Sequence, residues 1–148
     1  MERGRLKAEL LVRTEAFCDR CLVVAEQLLA DGRFPRICDQ LAAAGTSVGA
    51  NLAEAHEAMS LKDFRKCLSI SVKELAETRF WIRLCVRRGW FTPAKVQDLL
   101  QELEEIKRIL GSILHRTRPS TDGGTSPRRV QLETETPAQE LPTNGLPI

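Results

Sequence analysis

The chain has 148 residues, 43% hydrophobic and 28% charged, with 22 basic against 20 acidic side chains and a formal net charge of +2. That length supports one core rather than two comfortable domains, and the basic excess is modest. Aromatics are only 5% with no Tyr, which excludes an all-β sandwich and favours helix; charges also interrupt every apolar stretch well short of the roughly 20 residues of a membrane span.

The leading segment Met1-Glu2-Arg3-Gly4-Arg5-Leu6-Lys7 lacks the apolar run and small-residue cleavage site of a secretory signal, so a cytoplasmic location is expected. In the first helical segment Leu10, Thr14, Phe17, Cys21, Ala25 and Leu28 recur at spacings of three or four, and Asp31-Gly32 with Pro35 supplies the stop. The second segment carries Ile37, Leu41, Ala44, Val48, Leu52 and Ala55 through a run of small residues. Gly45 and Gly49 each cost roughly 1 kcal/mol relative to Ala inside a helix, so they predict close approach of a neighbouring backbone.

The third segment opens on Ser60-Leu61-Lys62-Asp63, an N-cap serine with an acid three residues on. Its expected apolar face is Leu61, Phe64, Leu68, Val72, Leu75, Ile82 and Val86, ended by Gly89. The fourth begins at Thr92-Pro93, a cap followed by a first-turn proline, and continues as Val96, Leu99, Leu103, Ile106, Leu110 and Ile113. Links near 31–35, 56–60 and 89–92 are short enough to make consecutive helices antiparallel neighbours. The expected fold is all-α, an up-down-up-down four-helix bundle over 1–118.

Residues 119–148 are rich in Pro, Gly, Ser and Thr and are expected to form a disordered tail. They carry two basic and four acidic side chains, which leaves 20 basic and 16 acidic in 1–118.

The five cysteines, at 18, 21, 38, 67 and 85, fall on apolar helical faces and are expected to be small buried hydrophobes in a reducing compartment. Cys18-x-x-Cys21 lacks a second pair, and His56 and His115 are the two histidines. Ala53 and Ser112 stand where a di-iron bundle needs Glu before each His, and His115 is placed to meet the dipole of the last helix. Glu54, Glu57, Glu74 and Glu77 are expected to pair with Lys73, Arg79 and other surface cations. No phosphate loop, dinucleotide fingerprint or nucleophile elbow occurs, so neither enzyme activity, a metal nor a cofactor is expected.

Arginine placement is more informative. Arg79, Arg83 and Arg87 fall at i, i+4 and i+8, with Arg88 beside them and Lys62, Arg65 and Lys66 toward the other end of the same helix. Three guanidiniums along about 12 Å of helix suit successive phosphates of RNA or DNA. The competing expectation is a solvated face paired with Glu102, Glu104 and Glu105, or a protein interface. Phe80 and Trp81 are adjacent, so at least one ring points away from the core, and with Trp90 they suit an oligomer or partner surface.

The stretch Ala44-Gly45-Thr46-Ser47-Val48-Gly49-Ala50-Asn51-Leu52-Ala53-Glu54-Ala55, followed by Asp63-Phe64 and Leu68 to Leu84 with its Lys73-Glu74-Leu75-Ala76-Glu77-Thr78-Arg79-Phe80-Trp81, resembles a bacterial four-helix-bundle family. That family includes the proteins encoded in 23S rRNA intervening sequences and, more distantly, the accessory variability protein of diversity-generating retroelements. The resemblance covers about residues 8–116, and Arg108-Ile109-Leu110-Gly111-Ser112-Ile113-Leu114 resembles the last helix of the accessory proteins. It implies a homopentamer without catalysis and, for the accessory branch, a basic nucleic-acid-binding surface and a reverse-transcriptase partner.

Asn51 and Glu54 match the family's "NIAEG"-like motif, with Leu52 in place of Ile and Ala55 in place of Gly. Polar groups one turn apart on a small apolar helix are costly unless satisfied, so hydrogen bonds to Ser71, Lys73 or a neighbouring subunit are expected. The sequence therefore predicts a non-catalytic homo-oligomeric bundle that binds nucleic-acid backbone. A scaffold for a protein such as a reverse transcriptase, without direct nucleic-acid binding, is the alternative.

Overall fold

A computed structural model describes residues 5–120, so the tail expected over 119–148 falls, beyond Ser120, outside the described residues. Four helices occupy the rest: α1 (Ala8–Ala30), α2 (Pro35–His56), α3 (Leu61–Arg87) and α4 (Pro93–Arg116). Each agrees with its punctuation. Gly32 and Gly89 adopt φ of 71° and 72°, the left-handed conformation that closes a helix with least strain in glycine. The N–H of Arg33 reaches the Leu28 carbonyl at 3.0 Å and that of Trp90 reaches the Cys85 carbonyl at 3.0 Å, which turns the chain sharply out of α1 and α3.

Pro35 and Pro93 sit in the first turns of α2 and α4, where a missing N–H costs nothing. Ser60 caps α3 as expected, its Oγ accepting from the Asp63 N–H at 3.1 Å. Thr92 does not cap α4 with its hydroxyl; its backbone carbonyl accepts from the Lys95 N–H at 3.1 Å instead.

Consecutive helices pack together and α4 closes against α1, an antiparallel four-helix bundle. Phe17, Leu28, Leu41, Leu52, Leu68, Leu75, Ile82, Leu103, Ile106 and Leu110 are fully buried at its centre. Each such side chain contributes roughly 1.5–3 kcal/mol relative to exposure. Leu6 and Phe91, outside the helices, seal the core, and the Leu6 N–H donates to His56 Nδ1 at 3.3 Å.

The α3 stripe differs from the expected one. Ser71, Thr78 and Cys85 are buried, while Val72 and Val86 are only half-buried. The buried hydroxyls are affordable because each donates to a carbonyl at 2.8 Å, Ser71 to Val48 of α2 and Thr78 to Glu74 of its own helix. In α2, Cys38 takes the place expected of Ile37, and in α4 the buried stripe stops at Leu110, with Ile113 half-buried.

Candidate nucleic-acid interface

The arginines of α3 separate into different roles. Arg79 is half-buried and donates to Glu104 of α4 at 2.6 Å. That bond holds the Glu104 carboxyl below the ordinary glutamate range against the opposing effect of burial. Arg83 and Arg87 are exposed and line an open cleft of about 980 Å³ between α3 and α4. Arg108 lines it from α4, and Val86, Val96 and Leu100 give it an apolar floor.

Glu104 and Glu105 also line this cleft, yet both carboxylates are engaged elsewhere. Glu104 faces Arg79, and Glu105 accepts from Arg13 of α1. Arg13 also donates Nε to Glu102 at 2.6 Å and Nη2 to it at 2.9 Å, a bidentate grip. Of the three acids expected to neutralise the α3 arginines, therefore, two are held by Arg13. Among the described residues Arg83, Arg87 and Arg108 make no ion pair, although Arg83 lies close enough to Glu104 to help lower its carboxyl, so the cleft carries three guanidiniums against two carboxylates already bonded to other arginines. Sequence reasoning passed over Arg13 and Arg108; Gln97, Gln101 and Arg108 do share one exposed helical face, a signal that could have found the latter.

The remaining basic residues stand apart from the cleft. Lys62 and Lys66 are exposed near the start of α3, about 20 Å or more along the helix from Arg79 at ~1.5 Å per residue. Arg65 turns to the end of α4, donating to the Leu114 carbonyl at 2.5 Å and to Thr117 Oγ1 at 2.9 Å. Arg88 is exposed at the C-cap of α3.

Phe80 is 56% exposed and meets half-buried Trp81 edge-on with ring centroids 5.0 Å apart. Trp81 Nε1 donates to Glu77 at 3.2 Å. Trp90 lies where the first and third links meet, its centroid 6.1 Å from Phe34 and 5.2 Å from the Arg33 guanidinium.

Among the described residues Asn51 and Glu54 make no bond to Ser71 or Lys73. Asn51 Nδ2 donates to the Ser47 carbonyl of its own helix at 2.8 Å, and Ser71 bonds Val48, so the anticipated Asn51–Ser71 bond does not form. Glu54 is exposed. Nor do Glu54, Glu57, Glu74 and Glu77 pair with Lys73 or Arg79 among the described residues, since Arg79 turns to α4. Burial, aided by Glu77, pushes the Glu74 carboxyl up.

Cys21 is buried, and Cys18 is half-buried with its thiol directed at the Gly45 carbonyl at 3.2 Å. His115 is exposed in the last turn of α4. Among the described residues no three His, Cys, Asp or Glu side chains gather into a group that could hold a metal ion.

Residues 8–112 match the family model described as 23S rRNA-intervening sequence protein. A solved structure from Bacteroides thetaiotaomicron VPI-5482, titled a protein with unknown function from the S23 ribosomal protein family, is similar at 30% sequence identity with a TM-score of 0.69. The alignment covers 71% of this chain and 97% of that one. No curated protein matches the chain.

Proposed function

Because the chain belongs to the 23S rRNA-intervening sequence protein family, we propose that it is a non-catalytic helical bundle that binds nucleic-acid backbone through Arg83, Arg87 and Arg108. One observation carries the reading: the cleft between α3 and α4 presents these three guanidiniums while both of its carboxylates are bonded to other arginines. Guanidinium forks suit phosphate oxygens, contacts that position a nucleic acid without carrying sequence information directly.

The proposal includes a cytoplasmic location and self-association, five copies by the resemblance. In the accessory branch it also includes a reverse-transcriptase partner. No helix among the described residues is long and apolar enough to cross a membrane. A second reading, a protein scaffold, is favoured by the exposure of Phe80 beside Trp81.

The test is binding of the full chain to a fluorescent structured RNA and to duplex DNA across a salt series. Affinity for the duplex should fall with a log–log slope of roughly −0.9 per phosphate neutralised, and Arg83→Glu/Arg87→Glu/Arg108→Glu should flatten it by about 2.7. Absence of binding at physiological salt, or an unchanged slope in the variant, would sink the proposal and turn attention to protein partners.

A further inference from the structure

We propose that the acidic end of this same chain, residues 131–148, docks in the α3–α4 cleft and competes there with polyanions. Two features single out that occupant: charge and reach. Residues 131–148 contain Glu133, Glu135 and Glu140 and no basic side chain, against Arg83, Arg87 and Arg108, none of which makes an ion pair among the described residues. Leu132 and Leu141 flank these acids and match the apolar floor of Val86, Val96 and Leu100.

Arg108 stands eight residues before the end of α4 at Arg116, about 12 Å along the helix at ~1.5 Å per residue. Residues 121–133 can span up to about 45 Å, so Glu133 reaches the cleft of its own chain with chain to spare. A tethered segment meets its site at an effective concentration on the order of millimolar, which makes even a weak contact populated.

A second cleft, near the end of α4, is less suited to the segment. It is lined by Arg5, Lys7, Arg13 and Arg116 beside Glu9; Arg13 is held by Glu102 and Glu105 and Arg5 donates to the Ala58 carbonyl at 3.0 Å, which leaves Lys7 and Arg116 there against three guanidiniums in the α3–α4 cleft. The competition with nucleic acid rests on the function proposed above, whereas the docking itself does not.

The experiment is arginine-selective labelling of the full chain with phenylglyoxal, read residue by residue by mass spectrometry, for wild type and Glu133→Gln/Glu135→Gln/Glu140→Gln. In wild type at low salt, Arg83, Arg87 and Arg108 should label roughly threefold or more slowly than in the variant, the scale that several exposed charge contacts supply. The difference should vanish near 1 M salt and persist on dilution. Equal rates at low salt, or protection of Arg5 and Arg116 instead, would overturn the docking.

Duplex DNA binding by the same two proteins separates the two ideas. Tighter binding by the variant supports the competition, and protection without any DNA binding retains the docking while removing the nucleic-acid reading. DNA binding with equal labelling does the reverse.

Discussion

The Cβ of Cys21 lies 2.5 Å from the point where a side chain at Gly45 would begin, so α1 fills the volume that any other residue at 45 would need. Gly49 faces Cys18 in the same seam, with Sγ 2.7 Å from its missing Cβ. The two obstacles differ in kind: a Cβ moves only with its backbone, whereas a thiol can rotate about χ1.

Gly45→Ala is expected to destabilise the bundle by about 1–3 kcal/mol, because overpacking outweighs the roughly 1 kcal/mol gained in helix propensity. Gly49→Ala should cost less, and Cys18→Ala should rescue it while leaving Gly45→Ala unrelieved. Denaturant melts of the single and double variants check this, and equal costs at 45 and 49 would refute the distinction.

Arg13 ties α1 to α4 through two carboxylates, and it is 37% exposed, so solvent screening limits its contribution to about 1 kcal/mol. Arg13→Met should lose that amount, and Arg13→Lys should recover little, since an ammonium cannot reproduce the fork. The guanidinium hydrogen bond holds Glu102 below its ordinary pKa despite burial. A carboxylate depressed in the fold stabilises above its unfolded pKa and loses that stability as pH falls through the folded value. The gap between wild type and Arg13→Met should therefore hold from neutral pH down to the ordinary 4.5 and close below it, as urea melts at each pH would reveal.

The last turn of α4 depends on Arg65, which donates to the Leu114 carbonyl and to Thr117 Oγ1 and so ties the end of α4 to the start of α3. Arg65→Met should speed hydrogen exchange at 113–117 by roughly tenfold while leaving the middle of α4 protected. By the same logic Ser60→Ala should cost about 1 kcal/mol by uncapping α3. Uniform exchange changes across the bundle would contradict the local role of Arg65.

All five thiols are shielded: burial pushes Cys21 up to about 12 and raises Cys18, Cys38, Cys67 and Cys85 as well. Ellman's reagent at about pH 8 should therefore react slowly with the native chain and consume all five thiols once it is denatured. Because the fold retains protons that unfolded thiols release, stability present below the ordinary 9.0 should decline as pH rises past it. Rapid labelling of several thiols in the native state would contradict this.

Much of the fold was legible because it is written in local spacing. The positions of Gly32, Pro35, Ser60, Gly89 and Pro93 delimit the four helices, and Phe80 beside Trp81 announces an outward ring. Gly45 and Gly49 announced a tight seam, although Cys21 and Cys18 rather than bare backbone fill it. The α3 stripe was misread where Ser71 and Thr78 look polar in sequence yet sit in the core, each satisfied by a carbonyl.

What the sequence by itself determined is the periodicity of each helix, and so which residues share a face with Arg79, Arg83 and Arg87. Only the tertiary structure decided which of those charges remain available. Arg79 meets Glu104 across 25 residues, and Arg13 meets Glu102 across 89, contacts fixed by the rotation and register of one packed helix against another. A 3.6-residue repeat defines one helix face but carries no information on what stands opposite it. Packing the apolar stripes sets that register, which leaves Arg83 and Arg87 open beside Arg108 while Arg79 and Arg65 are drawn into the fold.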